Sequence, residues 1–216
     1  MKKRILVVDD HKIVREGLRS LIEDDGSYEV VGEASNGREA LKLARQLNPD
    51  LVIMDVAMNE MNGIDATRQL TRTMPEVRVL VLSMHSDSRY VKQMLEAGAM
   101  GYLVKENAFE EIAAALCSVL SGRLYVSPQA SGSILQDIAL GQLQEGEEGS
   151  PLTAREKETL QMIAEGHSTA EIAERLFVSV KTVETHRKKI MDKLDLRSVA
   201  ELTKYAIREG ITSVDK

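Results

Sequence analysis

Ile5-Leu6-Val7-Val8-Asp9-Asp10 decides the fold: it is an apolar run, rich in β-branched residues, that ends in two adjacent carboxylates. A buried strand ending in this way is costly unless a cation compensates the charge. Leu51-Val52-Ile53-Met54-Asp55 repeats the pattern, and later runs deliver Ser83 after Val77 to Leu82 and Lys105 after Gly101 to Val104. In a parallel sheet every strand end points to the same edge, so these sequence-distant groups converge there. Three clustered carboxylates repel one another, and hard oxygen ligands suit a magnesium-like ion that also binds phosphate oxygens. A metal-screened aspartate can attack a phosphoryl group while a hydroxyl and an ammonium stabilise the oxygens being transferred. Asp55 is assigned as that nucleophile.

Taken singly, each group has an ordinary explanation. Asp9-Asp10 before His11 can cap a helix, Asp55 can cap a turn, Ser83 can be a loop hydroxyl and Lys105 can be solvated. Their joint placement at successive strand ends favours the site. Around them, residues 1–122 alternate short apolar runs with segments of helical period. Strands are predicted over 4–9, 28–34, 51–54, 77–82 and 100–104, and helices over 11–24, 37–47, 62–74, 86–97 and 109–121, giving a five-stranded α/β sandwich.

Residues 123–150 read as a linker of small and polar residues that ends in an acidic cluster, with a short helix predicted over 134–143 and mobile ends. Residues 151–216 form a second, all-helical domain with segments at 154–165, 169–176, 180–194 and 198–209. Thr153 with Glu156 and Ser168 with Glu171 fit capping boxes, and Ser179 and Ser198 can cap the other two helices. Phe177-Val178-Ser179 is the short turn of a helix-turn-helix. The helix that follows carries Lys181, Arg187, Lys188, Lys189 and Lys193, with Val183, Ile190 and Leu194 spaced to face a core.

At 216 residues the chain suits two modest domains, and it has no long uncharged apolar segment or signal-type start, so a cytoplasmic protein without a membrane partner is expected. Cys117 lies in an apolar run and is expected to be a packed helix residue. The net charge of −6 divides unevenly: residues 1–150 carry 16 basic and 23 acidic groups, residues 151–216 carry 12 and 11. Because local clustering of charge governs nucleic-acid binding, the acidic whole does not exclude a DNA-binding C-terminal part. With no tryptophan and seven other aromatics, stacking on single strands is a poor basis for binding, and duplex DNA is the natural target.

With both halves in view, the chain resembles the NarL/FixJ subfamily of two-component response regulators, which join a receiver domain to a LuxR-type helix-turn-helix domain. The receiver-side match is Asp9-Asp10-His11, Asp55 followed by Met61-Asn62-Gly63, Ser83, and Gly101-Tyr102-Leu103-Val104-Lys105. The effector-side match is Leu152 to Glu156, Glu171-Ile172-Ala173, Val178 to Val183, and His186 through Leu194. The resemblance implies a flavodoxin-like, doubly wound parallel sheet of order 2-1-3-4-5. It also implies that Asp55 accepts phosphate from a sensor histidine kinase or a small donor. Mg²⁺ would be held by Asp10, Asp55 and the Ala57 carbonyl, and by Asp9 through water. Lys105 would pair with the phosphoryl oxygens, and Ser83 would move toward them and let Tyr102 change rotamer; an ordinary half-buried aromatic is an equal alternative for Tyr102.

Two departures stand out, since many receivers have Met-Pro after the phosphoacceptor and proline after the lysine. This chain has Met58-Asn59 and Lys105-Glu106. The first change frees the loop and restores a backbone N–H, and the second removes the expectation of a cis peptide.

By the same resemblance, Glu184, Thr185 and Lys188 would meet base edges, with Lys181, Thr182, His186 and Lys189 nearer the DNA backbone. His186 has helical spacing from Val183 and Ile190 that also permits a core-side role. The last helix resembles the segment through which two such domains pair, so a homodimer is expected on DNA or after phosphorylation, acting on the transcription machinery. Two other functions compete with this regulator: a constitutive regulator whose receiver only dimerises, and a Mg²⁺-dependent phosphohydrolase. Such hydrolases generally need a second aspartate two places beyond the nucleophile, where this chain has Ala57, so no enzyme is expected.

Overall fold

The computed structural model describes residues 1–140 and 151–212, which form two compact units. In the first, β1 (Lys3–Val8), β2 (Tyr28–Ala34), β3 (Leu51–Asp55), β4 (Arg78–Ser83) and β5 (Gly101–Val104) alternate with α1 (Lys12–Asp24), α2 (Gly37–Leu47), α3 (Gly63–Thr73), α4 (Ser88–Glu96) and α5 (Ala108–Leu120). All strand pairs are parallel. Ile5 to Val7, Leu51 to Met54 and Val79 to Val81 are fully buried, as expected when helices cover both faces of a sheet. That double burial is why these strands read as continuous apolar runs and not as alternating ones. Asp50 at the start of β3 fixes the register, accepting from the Arg4 N–H at 2.8 Å while its own N–H donates to the Arg4 carbonyl at 2.8 Å.

The predicted element boundaries through residue 122 hold to within two residues, but the sheet has six strands and not five. Its order is β2-β1-β3-β4-β5-β6, the sixth being β6 (Tyr125–Val126) beside β5. Two residues are too few for a periodic signal, and only the tertiary pairing reveals the strand. A helix, α6 (Pro128–Ala139), then packs against α4 and β5. It begins six residues before the predicted 134–143 segment, so the N-terminal end of the linker, expected to be mobile, instead forms β6 and the first turns of α6; residues 141–143 and the C-terminal end of the linker lie outside the described residues. Its first turns are built from Ala130, Ser131, Gly132 and Ser133, which carry no apolar stripe, although Ala130 itself is completely buried. Cys117 also departs from expectation: it is exposed, because Ile112, Ala115, Leu116 and Val119 occupy the buried face of α5.

The second unit contains α7 (Ala154–Ala164), α8 (Thr169–Arg175), α9 (Val180–Leu194) and α10 (Val199–Arg208). α7 packs against the other three around Leu160, Ile172, Val183, Ile190, Leu202 and Ala206. The capping boxes at Thr153 and Ser168 form as the sequence predicts, and Ser198 makes a third with Glu201. No helix among the described residues is long and apolar enough to cross a membrane.

Candidate functional site

Asp9 follows β1, Asp55 ends β3, Ser83 ends β4 and Lys105 follows β5, so the sheet brings all four to one edge. Asp9 and Asp55 are 1% and 3% exposed, and Ser83 is fully buried. The Lys105 Nζ lies 2.6 Å from Asp9 Oδ2 and 3.1 Å from Asp55 Oδ2 and is the cation the buried acids require. Burial pushes the Asp55 carboxyl up to about 6, opposed by the Lys105 charge and assisted by the negative charge of Asp9. The same two carboxylates outweigh the desolvation of Lys105 and raise its pKa, so it stays an ammonium.

Backbone geometry fixes the two acids. The Val56 N–H donates to Asp55 Oδ1 at 2.8 Å, and the Gly63 N–H donates to the Val56 carbonyl at 2.9 Å. A Cβ at Gly63 would lie 1.9 Å from the Asp55 carbonyl oxygen, so only glycine lets α3 start this close to the site. Asn62, the N-cap of α3, accepts from the Asp65 N–H. The His11 N–H donates to Asp9 Oδ1 at 2.8 Å, and Arg15 Nη1 donates to the Asp9 carbonyl at 2.7 Å. Arg15 is itself held by Glu33, 18 positions away, which is why nothing in the local sequence marked it as part of the site.

Asp10 is half-buried, and His11 Nδ1 lies 2.8 Å from Asp10 Oδ1 and 3.2 Å from Asp9 Oδ1. One ligand atom from each of Asp9, Asp10, His11 and Asp55 falls within 4.8 Å of the others, so the donors fit a small hard cation and His11 belongs to the cluster as well. Ala57 is half-buried two residues beyond Asp55. Ser83 Oγ accepts from the His85 N–H at 3.1 Å. Tyr102 is fully buried, its hydroxyl donating to the His85 carbonyl at 2.7 Å, and burial raises its pKa. His85 is half-buried and stacks on Tyr90 with ring centroids 4.5 Å apart. No cis peptide occurs among the described residues, as expected without proline after Lys105.

In the second unit, α9 buries Val183 and Ile190 and exposes Lys181, Glu184, Thr185, Arg187, Lys188 and Lys189. Ser179 caps the helix by accepting from the Thr182 N–H at 3.1 Å, and its Oγ is 2.8 Å from Thr182 Oγ1. Two residues fall elsewhere than the basic face. Lys193 donates to Glu156 Oε2 at 2.6 Å. His186 is half-buried with Nδ1 3.4 Å from Thr159 Oγ1, so it takes the core-side role that its spacing allowed. Burial raises the Glu156 pKa, but Lys193 and both donors of Thr153 outweigh this and bring it to about 2. The pair ties the C-terminal part of α9 to the start of α7.

Residues 5–117 match the family described as response regulator receiver domain, and residues 150–206 match bacterial regulatory proteins of the luxR family. The response regulator GacA of Pseudomonas aeruginosa is 39% identical over 96% of this chain and 97% of its own length. The transcriptional regulatory protein LiaR of Bacillus subtilis is 38% identical over 97% of this chain and 99% of its own. Among solved structures, a two-component response regulator of the LuxR family from Aurantimonas sp. SI85-9A1 superposes with a TM-score of 0.62 at 39% identity, covering 64% of this chain and 99% of that one. The Salmonella typhimurium response regulator RcsB gives 0.61 at 26% identity over 95% of this chain and 98% of its own. The parallel α/β unit with its acidic edge and the helical unit with its basic helix therefore have one identity: the chain belongs to the NarL/FixJ-type response regulators, phosphorylation-controlled regulators of transcription.

Proposed function

We propose that Asp55 is the phosphoacceptor and that α9 reads duplex DNA. The observation that carries the first part is the placement of Lys105 Nζ between the buried carboxylates of Asp9 and Asp55. An Asp55 carboxylate oxygen attacks phosphorus, an acyl-phosphate bond forms, and the bond to the donor breaks with its electron pair leaving on the donor. That donor is a histidine imidazole of a sensor kinase or the carboxylate of a small acyl phosphate. Lys105 then exchanges part of its pairing with the carboxylates for the phosphoryl oxygens, and the Ser83 hydroxyl donates to one of them. Asp10, Asp55 and the Ala57 carbonyl, with Asp9 through water, would hold Mg²⁺, which supplies charge neutralisation across the acids and the phosphoryl group. His11, hydrogen-bonded to Asp9 and with Nδ1 2.8 Å from Asp10 Oδ1, would help to orient both acids.

Ala57 leaves the position two beyond the nucleophile without an acid/base group, which supports a role as acceptor and not as a turnover hydrolase. On α9, Glu184, Thr185 and Lys188 face base edges while Lys181, Thr182 and Lys189 lie nearer the backbone; His186 is left out of the DNA-facing set because it packs toward Thr159. The RcsB relative was studied for DNA interaction, which supports the same role for this chain. Residues 1–122 are the receiver, 151–216 the DNA-binding domain, and 123–150 connect them. The protein works in the cytoplasm as a homodimer when phosphorylated or DNA-bound, and it acts on the transcription machinery. To test the first claim, the protein is incubated with Mg²⁺ and acetyl phosphate and the adduct is mapped by intact and peptide mass. Wild type should gain one phosphoryl group at Asp55 and Asp55→Asn none; undiminished labelling of the variant would contradict the assignment.

A further inference from the structure

Phe177 sits in the turn between α8 and α9 with φ +53°, and it is 92% exposed. Both properties are unfavourable. The left-handed region crowds the Cβ of any bulky residue and is the usual place of glycine after a helix. An aromatic ring in water also forgoes the burial that normally stabilises it. The turn itself is firmly built, because the Phe177 N–H donates to the Glu174 carbonyl at 3.1 Å and the Val178 N–H to the Ala173 carbonyl at 2.9 Å. Arg155 of α7 adds a hydrogen bond to the Leu176 carbonyl. The fold thus needs a turn here but does not need phenylalanine, and it holds the ring outward on a rigid support.

The ring stands two residues before Ser179, the N-cap of α9, and three before Val180, which is 46% exposed. α9 exposes Lys181, Arg187, Lys188 and Lys189, so two exposed apolar residues lead in sequence directly into a positively charged helix. A helix that enters the major groove by its N-terminal half brings the preceding turn against the groove wall, where deoxyribose offers apolar surface between phosphates.

We propose that Phe177 is a DNA-contacting residue that packs its ring on the sugar-phosphate wall flanking the α9 half-site. This inference rests on the reading of α9 as the groove-facing helix. An apolar wedge of this kind adds affinity for any duplex, anchors the depth of the helix in the groove and contributes nothing to the salt dependence.

The test separates folding from binding, which should move in opposite directions. Phe177→Gly and Phe177→Asn both suit the left-handed conformation, so each full-length variant should unfold at the same temperature as wild type or higher. Each should bind a 30-base-pair duplex of random sequence about fivefold more weakly by fluorescence anisotropy at low salt. The slope of log affinity against log salt should not change, because no charge is removed. Phe177→Leu should recover part of the loss. Unchanged affinity in the glycine and asparagine variants, with wild type binding normally, would overturn this inference and leave the role of α9 standing. A salt slope altered by one phosphate contact would also overturn it, as would a loss confined to one base step. If wild type phosphorylated with acetyl phosphate binds no duplex at all, the reading of α9 fails and this inference with it.

Discussion

Replacing Lys105 by methionine keeps the length of the side chain and removes only its charge, so it isolates what the ammonium does between Asp9 and Asp55. In the wild-type fold the Asp55 pKa stands at about 6, against 3.8 for an ordinary aspartate. Between those values the folded protein binds more protons than the unfolded chain, so this group makes stability fall as pH rises through that window. The total loss is about 3 kcal/mol even with Lys105 in place. Without the ammonium the largest influence that lowers the Asp55 pKa is gone. The folded value moves above 6 and the decline continues toward pH 8. Lys105→Met should therefore cost about 3 kcal/mol or more at pH 8, in line with breaking a buried ion pair, and less at pH 5, where Asp55 carries a proton and Asp9 alone loses its partner. Urea unfolding in EDTA, followed by tyrosine emission, reports mainly on the receiver unit, since four of the five tyrosines, Tyr28, Tyr90, Tyr102 and Tyr125, lie in it. An equal destabilisation at pH 5 and pH 8 would show that Lys105 matters through packing, and the electrostatic account of the site would be wrong.

Gly63→Ala should be more damaging than its size suggests, because the new methyl meets the Asp55 carbonyl oxygen at 1.9 Å and either α3 or the end of β3 must move. A loss above about 3 kcal/mol in the same unfolding assay, together with slower labelling by acetyl phosphate, is expected; a variant that labels at the wild-type rate would show that α3 does not position Asp55. On a duplex selected from random DNA, Lys188→Ala should relax base preference. Lys189→Ala should instead weaken cognate and random duplexes alike and make the salt slope shallower by about one phosphate contact. The reverse outcome would mean that the DNA-facing side of α9 is rotated from the one assigned.

The parts of this molecule legible in its sequence are those governed by local pattern. Fully buried parallel strands give unbroken apolar runs, and each run ends on the residue the edge displays, so Asp9, Asp55, Ser83 and Lys105 were visible as a set. The capping boxes at Thr153 and Ser168 were visible because both partners lie within one turn. What escaped depends on distant partners. Arg15 reaches Asp9 only because Glu33 on the neighbouring strand holds it. β6 exists because its N–H and carbonyl groups find β5, and the early turns of α6 are helical through packing on α4 and β5. Lys193 belongs in sequence to the basic run of α9, but Glu156 on α7, 37 positions away, pairs with it. Likewise His186 had two admissible directions, and only the position of Thr159 on α7 decides between them.

The central claim is that phosphorylation at Asp55 governs DNA binding at α9. The most direct measurement is the affinity of full-length protein for its selected duplex, with and without phosphorylation verified by intact mass, at one salt concentration. We expect the phosphorylated protein to bind at least about tenfold more tightly, a difference that requires only about 1.4 kcal/mol of coupling between the two domains. Equal affinities would contradict the claim that the receiver controls the DNA-binding step.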